Sequence, residues 1–474
     1  MEKIKSEILK PSVNSFRFIN LKPGGNDTCL VQGIIDDVKT RKLINDKIMK
    51  TYPNIEQVGF VNLDPESPEL MMAGGEFCGN ATRSTVYLAL RGKPGEVMIK
   101  VSGVKDRLKA GVKPNGEAYA QMPIYREPGL IASNMSQDRY LIPLEGITQY
   151  VNFNIEEIKG LSEEKIKTKA MQTINKLGLN NLPAAGVIYA EQDEKGWKIK
   201  PVVWVRDADT LFLETACASG TAALGQVIAL KSGQSVLELP VKQPSGMSMN
   251  VSVDYDNQRF GNAQISGPIE FLNSGLFQEG KNREYLIERI SGPKQLESFI
   301  KNDSLFQLYQ GIFSKAPYFE QFTPEEVNGF FMEYASKGIL FLAEDQKNER
   351  LIGFGAVLPL RMVTDVAQIA KKKGFDVEKT WYMADLGVDE DYRREGIGKT
   401  LVLERLRSLP EVSSVLMRTS KDNWNSRSLY KSLGFERVRL MTQWVEQKRT
   451  NGEIVRDPRI FMFLQGEELR KRYG

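Results

Sequence analysis

Apolar and polar residues alternate over much of the first 270 or so positions, in short runs that predict strands. Such runs lie near residues 14–34, 57–63, 96–124, 184–214 and 235–269. Two stretches break this pattern because they are apolar on nearly every side, Val86–Leu90 and Ala222–Leu230. A helix of that composition does not belong on a surface, so we expect strands to wrap around each one.

Other parts of the pattern divide the chain. Helices are predicted at residues 36–51 and, with many charges, at Glu156–Leu177. After Glu270 the chain becomes polar and glycine-containing, which is typical of a linker. We therefore predict one domain over 1–272, a linker over 273–284, and a second domain over 285–474. The first domain divides into lobes of about 1–135 and 136–272.

The two apolar helices begin alike. Cys78 precedes the first and Cys217 precedes the second, and each is followed by two small or polar residues. Ala81-Thr82 and Gly220-Thr221 come next, and both helices end near a glycine. We infer an internal duplication, with two matched lobes that each contribute one cysteine.

Composition narrows the function. The 474 residues carry a formal net charge of +4, which gives no reason to expect nucleic acid as a partner. Neither a secretory signal nor an apolar run of about 18 residues is found, so no membrane span is predicted. Three cysteines, of which Cys29 is expected to be structural, indicate reduced thiols and a cytoplasmic protein.

The chain contains no histidine. Histidine-based triads are therefore excluded, and no metal site is predicted. A general base must be a cysteine, a carboxylate, a lysine, a tyrosine or a group of the substrate.

A cysteine at a helix start is exposed to free N–H groups and the positive end of the helix dipole, which favour a thiolate. A substrate held between two such thiols could lose a proton to one and regain a proton from the other on the opposite face. This sequence inverts a stereocentre without a cofactor. The backbone N–H groups after each cysteine, in Gly79-Asn80 and Ala218-Ser219-Gly220, could stabilise the developing negative charge.

These motifs resemble those of the diaminopimelate epimerase superfamily of cofactor-independent racemases, over about residues 12–270. The resemblance rests on Cys78-Gly-Asn-Ala-Thr-Arg83, Cys217-Ala-Ser-Gly220 and Gly25-Asn26-Asp27. It implies an α+β fold in which antiparallel strands of two pseudo-symmetric lobes each wrap a central helix. It also implies catalysis by the two cysteines and substrate contacts at Asn26, Glu56, Gly79, Asn80, Glu214, Ser219, Gly220 and Thr221.

The stretch Arg206–Ala216 departs from the superfamily pattern, because the arginine of its Glu-Arg pair is not at the expected spacing. This departure argues against diaminopimelate as the substrate. Within the superfamily, Gly74–Arg83 resembles most the histidine racemases of opine-metallophore pathways. Glu56, Glu76 and Glu214 are candidates for binding an ammonium or an imidazole, or are solvated surface carboxylates.

The second domain has its own motif. The strand Trp381–Val388 leads into Arg393-x-x-Gly396-x-Gly398, and the helix Leu401–Leu409 follows. Glycines at a strand-to-helix turn let backbone N–H groups approach a pyrophosphate. A further strand and Asn423–Phe435 come after this motif.

Together these segments resemble the two acetyl-CoA motifs of the GNAT acyltransferases, over roughly 285–465, and imply a GNAT α/β domain. The resemblance implies acetyl-CoA contacts at Leu386, Val388, Arg393, Arg394, Gly396, Ile397, Gly398, Lys399 and Asn425. It implies Tyr430 as the proton donor to the departing thiolate. Asp385 or a bound water is the candidate base, and Leu360–Thr380 is a candidate part of the acceptor site.

Three hypotheses follow. The first is a bifunctional enzyme, an amino-acid racemase fused to an N-acetyltransferase, with small molecules and acetyl-CoA as partners. The second keeps the fold but makes the first domain a diaminopimelate-type epimerase or a PhzF-like isomerase with one acidic catalyst. The third makes it a ligand-binding module that regulates the acetyltransferase. A homodimer is compatible with each.

Overall fold

The computed structural model describes residues 11–134, 138–279, 284–316, 318–410 and 413–473. They form two compact units, one up to Leu272 and the other from Asn273. The strands are β1 (Ser15–Pro23), β2 (Thr28–Gln32), β3 (Gln57–Asn62), β4 (Glu69–Met72), β5 (Gly95–Val101), β6 (Leu108–Val112), β7 (Ala118–Gln121), β8 (Ala132–Asn134), β9 (Arg139–Leu144), β10 (Ile147–Asn152), β11 (Ala184–Asp193), β12 (Gly196–Val205), β13 (Thr210–Leu213), β14 (Val236–Lys242), β15 (Ser248–Asp256), β16 (Arg259–Gly267), β17 (Ile269–Glu279), β18 (Glu284–Ile290), β19 (Ile339–Asp345), β20 (Arg350–Pro359), β21 (Thr380–Val388), β22 (Ser414–Ser420), β23 (Glu436–Lys448) and β24 (Ile454–Leu464).

The helices are α1 (Val38–Thr51), α2 (Gly79–Ala89), α3 (Glu163–Lys176), α4 (Ala218–Ser232), α5 (Glu297–Lys301), α6 (Ser304–Phe313), α7 (Pro324–Lys337), α8 (Thr364–Lys372), α9 (Ile397–Arg407), α10 (Trp424–Ser432) and α11 (Gly466–Tyr473).

The first unit uses one pattern of strand pairing twice. β1 and β2 are antiparallel, β2 and β3 parallel, β3 and β4 antiparallel, and β4 and β5 parallel, before the antiparallel series β5, β6 and β7. The strands β9, β10, β11, β12, β14, β15 and β16 repeat the same directions in the same order. β7 pairs with β16 and joins the two series. The predicted duplication into two α+β lobes is confirmed.

Each lobe surrounds one helix. All residues of α2 from Gly79 to Val86 are buried, as are all residues of α4 from Ala218 to Val227. The strands therefore wrap the apolar helices as expected. α4 ends at Gly233, whose φ of 69° is the left-handed conformation that stops a helix.

Two predictions of element bounds are wrong. The charged helix begins at Glu163 rather than Glu156, because Gly160 takes a positive φ and Ser162 is the N-cap. Most of the predicted linker 273–284 is strand, since Ser274–Glu279 of β17 pairs with Glu284–Arg289 of β18. Its polar residues suit an antiparallel hairpin with one exposed face.

The second unit contains one sheet flanked by helices. Its strands lie in the order β17, β18, β19, β20, β21, β22, β24 and β23, all antiparallel except β21 with β22. The parallel pair is hydrogen-bonded only from Thr380 to Met383, although β21 continues to Val388. Because β21 and β22 separate beyond Met383, a gap opens where α9 begins.

Candidate functional site

The two cysteines of the matched helices line one cavity of about 560 Å³ between the lobes of the first unit. Cys78 is the N-cap of α2 and Cys217 is the N-cap of α4. Each sulfur accepts an N–H at 3.4 Å, from Ala81 and Gly220 respectively. Cys29, in contrast, is buried within β2. The structure therefore brings together the two cysteines that the duplication singled out.

Burial changes the ionisation expected at these helix starts. It raises the pKa of the Cys78 thiol, and the carboxylates of Glu214 and Glu76 raise it further, against the opposing effect of the backbone N–H groups. Burial and Glu214 likewise raise the pKa of the Cys217 thiol. Desolvation thus outweighs the helix-start effect that favours a thiolate.

Gln57 connects the first cysteine to the second lobe. The Cys78 thiol donates to Gln57 Oε1 at 2.9 Å, and Gln57 Nε2 donates to Glu214 Oε1 at 2.8 Å. Gln57 also lines the cavity. Sequence reasoning missed this residue, because a glutamine at a strand start carries no local signal of function.

Glu56 is held from both lobes. Asn26 Nδ2 donates to its carboxylate at 2.6 Å, and the Thr215 hydroxyl and N–H donate to the same group at 2.5 and 3.2 Å. Burial, assisted by the nearby charge of Glu214, raises the pKa of Glu56 to about 8. Asn26 is itself fully buried and accepts from Thr28, so it supports Glu56 rather than lining the cavity.

Two further carboxylates line the same cavity. Burial raises the pKa of Glu76 to about 7 and that of Glu214 to about 7. The buried Glu76 Oε2 atom has no hydrogen-bond partner among the described residues. Of the described residues that line the cavity, none is lysine or arginine. The site therefore suits a ligand that carries basic nitrogens.

The starts of α2 and α4 meet at this cavity. A Cβ atom added to Gly79 would lie 2.8 Å from the Cβ of Ala218, so the backbones approach closely only because residue 79 is glycine. Gly79, Asn80, Ala218 and Ser219 line the cavity. Helix N-termini of this kind bind anions, including carboxylates.

Two predicted contacts lie behind the lining. The Gly220 N–H points at the Cys217 sulfur, and Thr221 Oγ1 donates to the Cys217 carbonyl at 2.7 Å. Gln243 completes this support, since its Oε1 accepts from the Cys217 N–H and its Nε2 donates to Thr221 Oγ1, both at 3.0 Å. These residues hold the cysteine in place.

The second unit contains a separate candidate site at the start of α9. Arg394 and Gly396 have φ values of 66° and 90°, and no side chain caps the helix. A Cβ atom at Gly396 would have no heavy atom within 4 Å, so the free N–H groups face open space. Gly398 and the exposed Lys399 follow. This arrangement fits the pyrophosphate of acetyl-CoA.

The neighbouring predicted residues have different surroundings. Leu386 and Val388 lie on β21 beside the gap, and Ile397 is buried. Arg393 Nε donates to the Val388 carbonyl at 3.2 Å, which fixes the loop. Asn425 is exposed.

The helix α10 is capped by Asn423 rather than by Asn425. The Asn423 side chain accepts from the Ser426 N–H at 3.0 Å and donates to Tyr318 Oη. Sequence reasoning placed the motif asparagine two positions later. The N-cap preference for asparagine before a helix was the available signal.

Tyr430 and Asp385 occupy well-defined positions. Tyr430 is buried and its Oη accepts from Arg405 Nη2 at 3.2 Å. Asp385 Oδ2 accepts from the hydroxyls of Tyr309 and Tyr334 at 2.9 and 2.7 Å. Because two donors already satisfy this carboxylate, its role as a base stays a prediction.

Two matched lobes that each bring a cysteine to one cavity define the class of cofactor-independent racemases and epimerases. Residues 15–277 match the family model described as histidine racemase CntK N-terminal domain, and the chain belongs to this family. Residues 302–435 match the acetyltransferase (GNAT) family. The chain is therefore an enzyme with a racemase domain and an acetyltransferase domain, and acetyl-CoA is the cofactor of the latter.

Individual relatives agree with the first match. A histidine racemase of Fusobacterium nucleatum is 32% identical over 269 residues, which cover 54% of this chain and 95% of the relative. Among solved structures, a hydroxyproline epimerase from Agrobacterium vitis is 12% identical with a TM-score of 0.41, covering 58% of this chain and 93% of that one. The ribosomal-protein-S18-alanine N-acetyltransferase of Escherichia coli is 17% identical with a TM-score of 0.25, covering 36% and 89%.

The helices of the described ranges were also compared with the dimensions of a bilayer. None of them is both long enough and apolar enough to cross a membrane.

Proposed function

We propose that this protein is a bifunctional enzyme. Its first unit racemises histidine by a two-thiol mechanism, and its second unit transfers an acetyl group from acetyl-CoA to an amine. The observation that carries the proposal is the presence of Cys78 and Cys217, one from each matched lobe, on the wall of a single cavity. Such thiol chemistry needs reduced cysteines, which suits a cytoplasm.

Racemisation needs one thiolate and one thiol. The thiolate removes the substrate's α-hydrogen as a proton, and the C–H electron pair passes into the substrate's carboxylate. The opposite thiol then gives its proton to the other face of the carbon, which leaves the first sulfur protonated and the second ionised. The N–H groups at the starts of α2 and α4 would hold the carboxylate as its charge grows.

The charges of the cavity support histidine as the substrate. Glu56, Glu76 and Glu214 provide three carboxylates, against an α-ammonium and an imidazole on the ligand. An amino acid with an apolar side chain would leave at least one buried carboxylate without a cationic partner, which is costly. The name of the relatives at up to 32% identity, histidine racemase, supports the same substrate.

In the second unit, the loop from Arg393 to Gly398 would hold the pyrophosphate of acetyl-CoA, which supplies the acetyl thioester. Tyr430 Oη holds a proton at the position from which the departing sulfur would take it. Asp385 or a water molecule would accept the proton of the incoming amine. We propose that the amine belongs to the D-product or to a molecule made from it.

Proton exchange tests the first activity. The full chain is incubated in D₂O with a panel of L-amino acids, without acetyl-CoA, and loss of the α-proton is followed by NMR beside chiral chromatography. We expect exchange with inversion for histidine. Cys78→Ser and Cys217→Ser should each abolish inversion, while Cys29→Ser, which changes a cysteine outside the cavity, should retain it.

Other outcomes would favour the other hypotheses. Inversion that survives either serine variant would favour an isomerase with one acidic catalyst. Ligand binding without any α-proton exchange would favour a regulatory module.

Enantiomeric excess tests the connection between the two activities. A racemase equilibrium lies near unity, so acetylation of one enantiomer should draw it forward. We expect L-histidine with acetyl-CoA to give mainly acetylated D-product, and L-histidine alone to stop near equal amounts. Equal yields of the acetylated L and D forms would contradict the proposed acceptor.

A further inference from the structure

The duplication allows the surroundings of the two cysteines to be compared position by position. Five residues after Cys78 stands Arg83, whereas five residues after Cys217 stands Ala222. Three residues before Cys217 stands Glu214, whereas Gly75 stands three residues before Cys78. The backbones repeat, but the charges near the two sulfurs are opposite.

Arg83 is a buried cation without a carboxylate partner among the described residues. Its side chain is fully buried, Nη1 donates to the Gly267 carbonyl at 3.2 Å, and Nη2 donates to Asn80 Oδ1 at 3.1 Å. Nε has no hydrogen-bond partner in the described part of the chain. An uncompensated buried charge is costly, so a nearby anion would stabilise it.

The anion within reach of Arg83 is the sulfur of Cys78. Burial lowers the pKa of Arg83 to about 10, and the interaction with Cys78 opposes this effect, as does a weaker interaction with Glu117. The stabilisation is mutual, because a cation that gains from a thiolate also favours that thiolate. Glu76 and Glu214 act on Cys78 in the opposite direction.

Cys217 has no such cation. Its charged neighbour is Glu214, and its sulfur lies 3.5 Å from the Ser219 hydroxyl. Ala222, at the position that matches Arg83, is buried and apolar. A negative charge at Cys217 is therefore opposed by a carboxylate and balanced by no basic side chain.

We propose that Arg83 is a positioning residue that places the resting negative charge of the catalytic pair on Cys78 and leaves Cys217 protonated. The inference rests on the two-thiol mechanism proposed above. The resting enzyme then accepts the enantiomer whose α-hydrogen faces Cys78. After turnover Cys78 is protonated and Cys217 ionised, so one proton must leave Cys78 and one must reach Cys217 through solvent before the next cycle.

Alkylation of the unmodified full chain tests the order of ionisation. The protein is treated with limiting iodoacetamide at a series of pH values, without substrate, and modification of each cysteine is measured by peptide mass spectrometry. The ratio of rates at the alkaline limit corrects for access. After this correction we expect Cys78 to react at least about tenfold faster than Cys217 at neutral pH, the equivalent of one pKa unit. Equal rates, or faster reaction of Cys217, would overturn the inference.

Variants of Arg83 separate charge from packing. Arg83→Met should slow the neutral-pH reaction of Cys78 about tenfold and leave Cys217 unchanged, while Arg83→Lys should keep the lead of Cys78. Arg41→Met is the control, since Arg41 is another buried arginine of this lobe, bonded to the Ala73 carbonyl. It should preserve the order of the two thiols.

A purely structural role for Arg83 would change both thiols alike or neither, and that result would overturn the inference. If Arg83→Met does not fold, the unmodified chain and Arg83→Lys still decide. The titration needs no catalysis, so the two proposals can fail separately. Ordered thiols without racemisation would contradict the proposed function, and racemisation with equivalent thiols would contradict this inference alone.

Discussion

Three buried glutamates dominate the chemistry of the first site at the scale of single residues. Glu56, Glu76 and Glu214 lie apart in sequence, and each has a pKa raised to about 7 or 8 by burial. Near neutral pH they exchange protons with solvent readily. A cationic ligand should displace those protons, which links binding to pH.

The raised pKa values predict how stability depends on pH. Between about pH 4.5 and pH 8 the folded protein holds protons that the unfolded chain has released, so the free energy of unfolding should fall as pH rises. Each group contributes at most about 1.4 kcal/mol per pH unit over its own window. Denaturant unfolding across this range should show a shallower decline for Glu56→Gln, because that side chain is neutral throughout. Glu66→Gln, a change at an exposed glutamate, should keep the original slope.

Tyr430 permits a second prediction at this scale. If its hydroxyl donates a proton to the departing thiolate, Tyr430→Phe should lower kcat of acetyl transfer by about 10²–10⁴. The KM for acetyl-CoA should change little, because the ring and its packing remain. Steady-state kinetics at saturating amine measure both quantities. An unchanged kcat would assign the hydroxyl to support of Arg405 alone.

At the scale of elements, the site depends on the meeting of two helix starts. α2 and α4 are each capped by the sulfur that does the proposed chemistry, and Asn80 Nδ2 donates to the Ala216 carbonyl at 2.9 Å across the lobes. The same backbone groups that end the helices are thus brought beside the cavity. Helix packing and catalysis share these atoms.

Gly79→Ala tests this closeness. The added methyl group would lie 2.8 Å from the Ala218 Cβ, so the two helix starts must separate or distort. We expect a loss of about 1–3 kcal/mol in the free energy of unfolding and a clear loss of racemisation. Gly129→Ala is the control, because nothing lies within 4 Å of its added Cβ and its φ is not positive. Equal behaviour of the two variants would contradict the close approach.

At the scale of the whole molecule, each compact unit has its own buried core and its own candidate site. The cysteines of the first unit lie in a core built from both lobes. Tyr430 and Ile397 of the second unit lie in another. Damage to one site should therefore leave the other chemistry intact.

Gly396→Ala tests this independence in the full chain. Its φ of 90° strains any residue with a Cβ and should distort the pyrophosphate loop. We expect the KM for acetyl-CoA to rise about tenfold or more, with racemisation unchanged in a coupled chiral assay. Gly374→Ala carries a comparable backbone strain at φ 83°, away from the loop, and should leave that KM near its original value. A parallel loss of both activities in Gly396→Ala would show that the sites depend on each other.

Contiguous signals determined what the sequence predicted well. Period-two alternation predicted the strands, the apolar runs predicted the buried helices, and the repeated cysteine motif predicted both the duplication and the shared site. Motifs of adjacent residues also located the acetyl-CoA loop. Each of these features is encoded within a few residues, because helix starts, turns and strand faces are set by local geometry.

The tertiary structure alone decided which distant polar groups meet. Gln57 reaches Glu214 across 157 positions, and Thr215 reaches Glu56 across 159. No local pattern marks Gln57, and none showed that burial would oppose the thiolates favoured by the helix starts. Ionisation depends on solvent exclusion and on charges brought close by folding. The sequence by itself therefore determined the reacting groups and the two-lobed frame, and the folded structure decided their electrostatic surroundings.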